Sequence, residues 1–296
     1  MANINFSVVI PARNEEAYIG KTLESIFTTI KDRTDVEVFV VDNGSTDKTK
    51  EVVARYPKAT LLEEPIPGTS RTRERGFRAS HGALVGFLDS DTMLPADWFA
   101  KAEAAFKRDP RLVCLSGPYI YYDLPAGINL LVRVFYSIAY GVYVVSRFIF
   151  RNASVVQGGN YVVRRTALEA IGGHDVTITF YGDDTDVAKR MSKVGEVKFS
   201  FGFPVYSSGR RLAMEGLAKT AVRYAVNYFW IVVFGQPFSS TSNVIRGAVA
   251  GTNLNVKKWD WVIGFTILLF MLAVTLAIFY GIYYVLRFGA GGSLFR

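Results

Sequence analysis

Two short apolar runs, Val36 to Val41 and Leu84 to Leu88, each run straight into an aspartate, Asp42 and Asp89. A run of this length, apolar but for Glu37 near the start of the first, reads as a strand buried on both faces, as in a sheet covered by helices on either side. Phe6 to Ile10 repeats the pattern, and Ala59 to Leu62 is a further strand candidate. Amphipathic stretches separate these runs. Asn14-Glu15-Glu16 is expected to open a helix, because acidic residues suit the positive end of its macrodipole. Ile19, Leu23, Ile26, Phe27 and Ile30 recur at helical spacing as its apolar face. Asn43-Gly44 marks a turn, and Ser45 or Thr46 is expected to cap the helix after it. A basic helix is predicted from Thr69 to His81, closed by Gly82. Strands alternating with helices predict an α/β domain with a mixed, mainly parallel sheet flanked by helices. Ligands bind such sheets outside the carboxyl ends of the strands. Asp42 and Asp89 are therefore expected to face one crevice.

The second half changes character. Leu112 to Tyr122 is expected to be a strand. Ile128 to Phe150 is apolar and aromatic but carries Arg133 and Arg147, and the uncharged run between them is too short to span a bilayer. It is read either as a helix in the membrane interface with snorkelling arginines or as a buried core helix. After Gly158-Gly159-Asn160 come a short strand and a helix around Ala167 to Ile171; Tyr181 to Asp186 leads into a helix ending near Gly195. Tyr224 to Phe238 is a second candidate interfacial stretch, broken at Gly235 and Pro237. Trp261 to Leu286 contains no charged residue and is long enough to cross a bilayer. Trp259, Trp261 and Tyr283-Tyr284 stand where aromatic belts belong, with Lys257-Lys258 before and Arg287 after. The expected organisation is an N-terminal α/β domain over 1–222, a membrane-interface linker over 223–258, a transmembrane helix over 259–287 and a short tail over 288–296. Met1 to Phe6 lacks a basic region followed by a long apolar stretch, so no signal peptide is expected. With the positive flank at Lys257-Lys258, this places the N-terminal domain in the cytosol, on a single-pass anchor in the cytoplasmic membrane.

Composition narrows the function classes. The net charge is +8, but the basic residues lie in scattered clusters rather than in a stripe with interleaved aromatics, so nucleic acid is not expected as a partner. A single cysteine, Cys114, excludes an internal disulfide and a cysteine-built zinc site, and two histidines are too few for a histidine-rich one.

Four constellations carry chemistry. Asp89-Ser90-Asp91 sets two carboxylates one residue apart on a turn after a strand, where they can approach one hard cation; Mg²⁺ takes one or two carboxylates plus substrate phosphates. Asp42 can accept hydrogen bonds from ribose hydroxyls or a base edge, or simply shape the turn at Asn43-Gly44-Ser45. Tyr181-Gly182-Asp183-Asp184-Thr185-Asp186 offers acids from which a general base could come, or merely an acidic first helical turn. Arg210-Arg211 can grip a phosphate or a lipid headgroup with forked hydrogen bonds, or lie as a plain surface pair.

Together these residues resemble glycosyltransferase family 2, the inverting enzymes of the GT-A fold. The resemblance rests on Val8-Val9-Ile10-Pro11-Ala12-Arg13-Asn14-Glu15-Glu16, Val40-Val41-Asp42-Asn43-Gly44-Ser45-Thr46-Asp47 and Phe87-Leu88-Asp89-Ser90-Asp91, in the family's order and spacing. It continues through Gly158-Gly159-Asn160, Ile171-Gly172-Gly173, the acidic run at Asp183 and Ser208-Gly209-Arg210-Arg211. It implies that Pro11, Arg13 and Glu15 line the nucleotide pocket, that Asp42 contacts base or ribose, and that Arg73 sits near the nucleotide. Glu74 stands where the family has an asparagine. The resemblance further implies that Asp89 helps hold the nucleotide and Asp91 the metal, Mg²⁺ or Mn²⁺. Gly159, Asn160, Asp183, Arg210 and Arg211 fall on the acceptor side, and Asp184 is the general base. The chain lacks the Gln-x-x-Arg-Trp motif of processive synthases, so transfer of one or a few sugars is expected. The apolar segments point to a lipid-linked acceptor. A processive synthase, a soluble-acceptor transferase and a non-catalytic nucleotide-binding scaffold are the alternatives.

Overall fold

The computed structural model describes residues 4–150, 156–178 and 182–216, together with residues 220, 262, 266, 280 and 284. The chain opens with β1 (Phe6–Ala12), α1 (Ile19–Ile30), β2 (Val36–Asp42), α2 (Thr49–Ala54), β3 (Ala59–Glu63), α3 (Thr69–Ala79) and β4 (Leu84–Leu88). It continues through β5 (Thr92–Met93), α4 (Trp98–Arg108), β6 (Leu112–Ser116), β7 (Tyr119–Tyr121) and α5 (Ala126–Phe150). Then come β8 (Asn160–Arg164), α6 (Arg165–Ala170), α7 (Asp183–Met191), β9 (Glu196–Phe199), β10 (Val205–Ser207) and α8 (Arg210–Glu215).

The main sheet runs β3-β2-β1-β4-β8-β6-β9. β8 is antiparallel to both its neighbours, and the other pairings are parallel. The expected mixed, mainly parallel α/β sheet is therefore present. Strand β1 shows why it reads as a continuous apolar run. Phe6, Val8 and Ile10 pack toward α1 and α4 with Leu23, Ile26, Trp98 and Phe99, while Val9 joins Phe77, Phe87 and Leu168 on the other side. Helix α3 lies close on β1 because residue 76 is glycine; a Cβ there would collide with the Val9 side chain. A second, small sheet, β5-β10-β7, sits beyond the ends of β4 and β6.

Strand order sets the site. From β1 the chain moves outward to β2 and β3, then returns to the other side of β1 as β4. The loops leaving β1 and β4 thus diverge and open a crevice between them, the usual ligand position in open α/β sheets.

Several local expectations are corrected. Asn14-Glu15-Glu16 lies in a loop, and α1 starts at Ile19 without an acidic first turn. Neither Ser45 nor Thr46 caps α2, which begins at Thr49 with Lys48 before it and no side-chain cap. The predicted strand over Leu112 to Tyr122 breaks at Gly117-Pro118 into β6 and β7, which belong to different sheets. A side chain at Gly117 would collide with the Phe203 backbone, so the chain can bend there against the loop before β10. Over its first turns α5 is amphipathic: Ile128 and Val132 are buried against Leu124 and Leu212, whereas Leu130 is 62% exposed. Among the described residues no helix is long and apolar enough to cross a membrane. Of the predicted span only Val262, Thr266, Tyr280 and Tyr284 are described, each helical and exposed. The rest of that span, the stretch Tyr224 to Phe238 and Tyr181 lie outside the described residues.

Candidate active site

At the carboxyl ends of β1 and β2, two loops hold each other. From the loop after β1, Asn14 N–H donates to Ser45 Oγ at 2.9 Å and Glu15 N–H to Thr49 Oγ1 at 2.7 Å. In return, Thr46 N–H donates to Asn14 Oδ1 at 2.8 Å and Lys48 N–H to Glu16 Oε2 at 2.9 Å. Asn14 sits at φ 56°, a left-handed conformation that asparagine tolerates. Pro11 lies past the last β1–β4 pair, Val9 with Phe87, so its missing N–H costs no bond to β4 there.

Asp42, at the end of β2, is 1% exposed. Its Oδ2 accepts the Gly44 and Ser45 N–H groups, each at 3.1 Å, which is the turn-shaping role. Its Oδ1 is buried and has no hydrogen-bond partner among the described residues. Such an orphan acceptor is costly unless a ligand donor meets it. Arg13 Nε is likewise buried without a partner among the described residues. An unmet acceptor and an unmet guanidinium N–H on neighbouring strand ends suit a ribose or base donor and an anionic phosphate.

At the end of β4 the carboxylates gather. Asp89 accepts from Arg73 Nη2 at 3.2 Å and from the Tyr119 hydroxyl at 2.8 Å, and its side chain remains 39% exposed. Asp91 is 11% exposed and lies 3.1 Å from Arg210 Nη2. Burial pushes the Asp91 carboxyl up to about 7; Glu15 and Asp89 raise it further and Arg210 opposes the shift. Burial also raises Glu15, whose Oε1 accepts from Arg210 Nη2 at 2.6 Å. Among the described residues no three acidic or histidine side chains converge as a metal cage. The donor set still suits a hard cation, which needs only one or two carboxylates when substrate phosphates supply the other ligands. Asp91 and Asp89 would supply that pair, and a divalent cation there would favour the charged form of Asp91 that burial, with Glu15 and Asp89 nearby, disfavours.

Arg73, on α3, is 4% exposed and ties the site together. It donates to Asp89, to the Gly158 carbonyl at 2.8 Å, and to the Asp183 carboxylate. Arg73 therefore lies beneath the crevice as a brace rather than presenting its guanidinium to a nucleotide. Asp183 is its counter-ion and starts α7. Asp184 follows: Oδ1 accepts the Thr185 N–H at 2.7 Å, and Oδ2 points at the Gly158-Gly159 turn, 3.5 Å from where a Cβ on Gly158 would stand. Burial and the adjacent Asp183 push Asp184 up to about 7, against the pull of Arg73.

The glycines at 158 and 159 separate Asp184 from Asp89. A Cβ on Gly159 would collide with Asp89 Oδ2 and the Tyr119 hydroxyl. Gly159→Ala is thus expected to displace Asp89 and reduce turnover by about 10²-fold, the scale on which ~1 Å misplacements act. Wild-type turnover in a variant that melts like the wild type would refute this placement.

Asn160 does not border an open acceptor site. It is wholly buried; its amide donates to the Gly117 carbonyl at 3.1 Å and the Phe203 carbonyl at 2.8 Å, and its oxygen accepts from Trp98 Nε1 at 3.1 Å. It fastens the glycine turn to the second sheet. Arg210, expected on the acceptor side, pairs with Glu15 and Asp91, while Arg211 follows it on α8. Glu74 accepts the His174 N–H at 2.8 Å and pairs with Arg78, so it holds the Gly172-Gly173 turn. The sequence reading missed Tyr119, which donates to Asp89 and accepts the Gly159 N–H at 2.8 Å. It also missed the role of His174, which is buried 2.8 Å from the Tyr161 hydroxyl. A buried tyrosine hydroxyl seeks a partner, but sequence alone does not say which one.

Residues 7–172 match the family model for glycosyl transferase family 2. A glycosyltransferase from Haloferax volcanii, AglE, is 35% identical over 100 residues, 32% of this chain and 33% of that protein. A dolichyl-phosphate beta-glucosyltransferase, ALG5A, from Trichomonas vaginalis is 34% identical over 117 residues, 36% of each chain. The match thus spans about a third of the length of either relative. Among solved structures, a mannosyltransferase from Pyrobaculum calidifontis in complex with GDP-Man and Mn²⁺ superposes with a TM-score of 0.59 at 20% identity, over 98% of this chain and 76% of that one. That likeness establishes a GT-A-like fold. The family match extends over more than half of the chain and contains the strand ends that carry Asp42, Asp89 and Asp91, so this protein belongs to glycosyl transferase family 2.

Proposed function

We propose that this chain transfers one sugar, or a few, from a UDP- or GDP-sugar to a hydroxyl or phosphate of a membrane-lipid-linked acceptor, with inversion at the anomeric carbon. The observation that carries the reading is the linkage of Asp89 to Asp183-Asp184 through Arg73 and the glycine turn, with orphaned Asp42 Oδ1 at the neighbouring strand end. Asp42 and Arg13 would take the nucleoside and its phosphates, with Pro11 and Glu15 on the same loop. Asp184 removes the proton from the acceptor hydroxyl. The acceptor oxygen bonds to the anomeric carbon as the bond to the diphosphate oxygen breaks, and the diphosphate leaves with that electron pair. One base and no covalent nucleophile suffice. Mg²⁺ or Mn²⁺ held by Asp91 and Asp89 would stabilise charge on the leaving diphosphate.

The lipid acceptor is supported by the uncharged run Trp261 to Leu286, by exposed Leu130 and Val134 on α5, and by the dolichyl-phosphate named for one relative. In this reading the run is a single-pass anchor in the cytoplasmic membrane, and the catalytic domain works on the cytosolic side. Purified protein offered one labelled donor should glycosylate a membrane lipid extract and leave soluble sugars unmodified. Equal transfer to both would remove the lipid assignment.

The raised Asp184 carboxyl gives a signed pH dependence. The base form fills as pH rises, so kcat/KM should climb tenfold per pH unit below about 7 and level above it. A profile flat from about pH 5 to 8 would contradict Asp184 as the titrating base.

A further inference from the structure

Arg210 pairs with Asp91, one of the two carboxylates to which the cation is assigned, and with Glu15. Its Nη2 lies 2.6 Å from Glu15 Oε1 and 3.1 Å from Asp91 Oδ2, and its guanidinium stacks 4.4 Å from the Tyr18 ring centroid. The side chain is 14% exposed. The backbone that presents it is fixed: Asp123 accepts the Ser208 hydroxyl at 2.5 Å and the Gly209 N–H at 2.6 Å. A Cβ on Gly209 would run into Leu124, so α8 starts hard against the main body.

We propose that Arg210 is a built-in counter-cation that holds Asp91 and Glu15 in the free protein and cedes Asp91 to the divalent metal when a nucleoside diphosphate binds. The proposal rests on the donor-site reading above. A divalent cation on Asp91 would lie close to the Arg210 guanidinium, and the two positive charges repel. A diphosphate presents paired anionic oxygens that match the guanidinium fork. It therefore draws Arg210 away from Asp91 and opens that carboxylate. Arg210 thereby couples the two ligands: nucleotide tightens metal binding, and by linkage metal tightens nucleotide binding. Without Arg210, Glu15 and Asp91 lose their shared counter-ion, and the free protein should take up metal without waiting for nucleotide.

The test is Mn²⁺ binding by the detergent-purified full chain, read from the electron paramagnetic resonance of free Mn²⁺, with no nucleotide, with UDP and with GDP. In the wild type, UDP or GDP should tighten Mn²⁺ by about tenfold or more. Arg210→Gln should bind Mn²⁺ without nucleotide about tenfold more tightly than the wild type, and nucleotide should add much less. Arg210→Lys keeps the charge and should stay near wild type in the free protein. Arg210→Gln binding no tighter than wild type, or wild-type affinity indifferent to both nucleotides, overturns the proposal. Asp91→Asn separates the two levels. Loss of nucleotide-dependent Mn²⁺ binding in that variant keeps the site assignment even if the Arg210 proposal falls; its retention removes the assignment and the proposal with it.

Discussion

Asp184→Asn is expected to lower sugar transfer by about 10²- to 10⁴-fold, the contribution of a positioned general base. Asparagine keeps the shape and can still meet the Thr185 N–H that Asp184 Oδ1 accepts at 2.7 Å. What it loses is proton affinity at Oδ2, the atom turned to the glycine turn. The change should fall on kcat with nucleotide affinity nearly unchanged, because Asp42 and Arg13 lie at a different strand end. Nucleotide titration beside single-turnover transfer measures both. A variant within about threefold of wild type in kcat would move the base elsewhere, with Asp183 the less suitable candidate because Arg73 already holds it.

Arg73→Met should act on stability first. Arg73 is 4% exposed, and its removal leaves Asp183, 10% exposed, as a buried charge without its counter-ion. Breaking such a pair from one side costs about 3–5 kcal/mol. The variant should therefore melt well below the wild type in detergent. Combining it with Asp183→Asn should recover part of the loss, since the orphaned charge goes with it. That recovery separates an electrostatic brace from a simple packing defect. An Arg73→Met variant with wild-type melting would mean that Asp183 and Asp89 are compensated by other groups.

These expectations draw on different depths of the sequence. The strand ends were legible because β1, β2 and β4 are buried on both faces toward their carboxyl ends and read as short apolar runs there, Val8 to Ile10, Val38 to Val41 and Leu84 to Leu88. An aspartate that ends such a run has one place to go, the sheet's carboxyl edge. Local rules failed where tertiary partners replaced them. Asn14-Glu15-Glu16 has the composition of a helix start, yet Ser45, Thr49 and Lys48 meet its polar groups, and the chain stays in an irregular loop until Ile19. Leu112 to Tyr122 has unbroken strand character except at Gly117-Pro118, and that break sends Tyr119 into a second sheet and onto Asp89. The resemblance gives Asn160 and Arg210 no partners within the fold. Asn160 is a buried fastener, and Arg210 reaches across from α8 to Glu15, a residue far away in sequence. Pairings of that range leave no periodic trace, and only the closed fold brings them together.

The central claim is that these carboxylates turn over a nucleotide-sugar. The most direct measurement is nucleotide release by detergent-purified protein from UDP- and GDP-sugars, with Mg²⁺ or Mn²⁺ and membrane lipid extract, beside Asp184→Asn and Asp91→Asn. The account predicts metal-dependent release from one donor that is lost in both variants. Release that persists undiminished in both would contradict it.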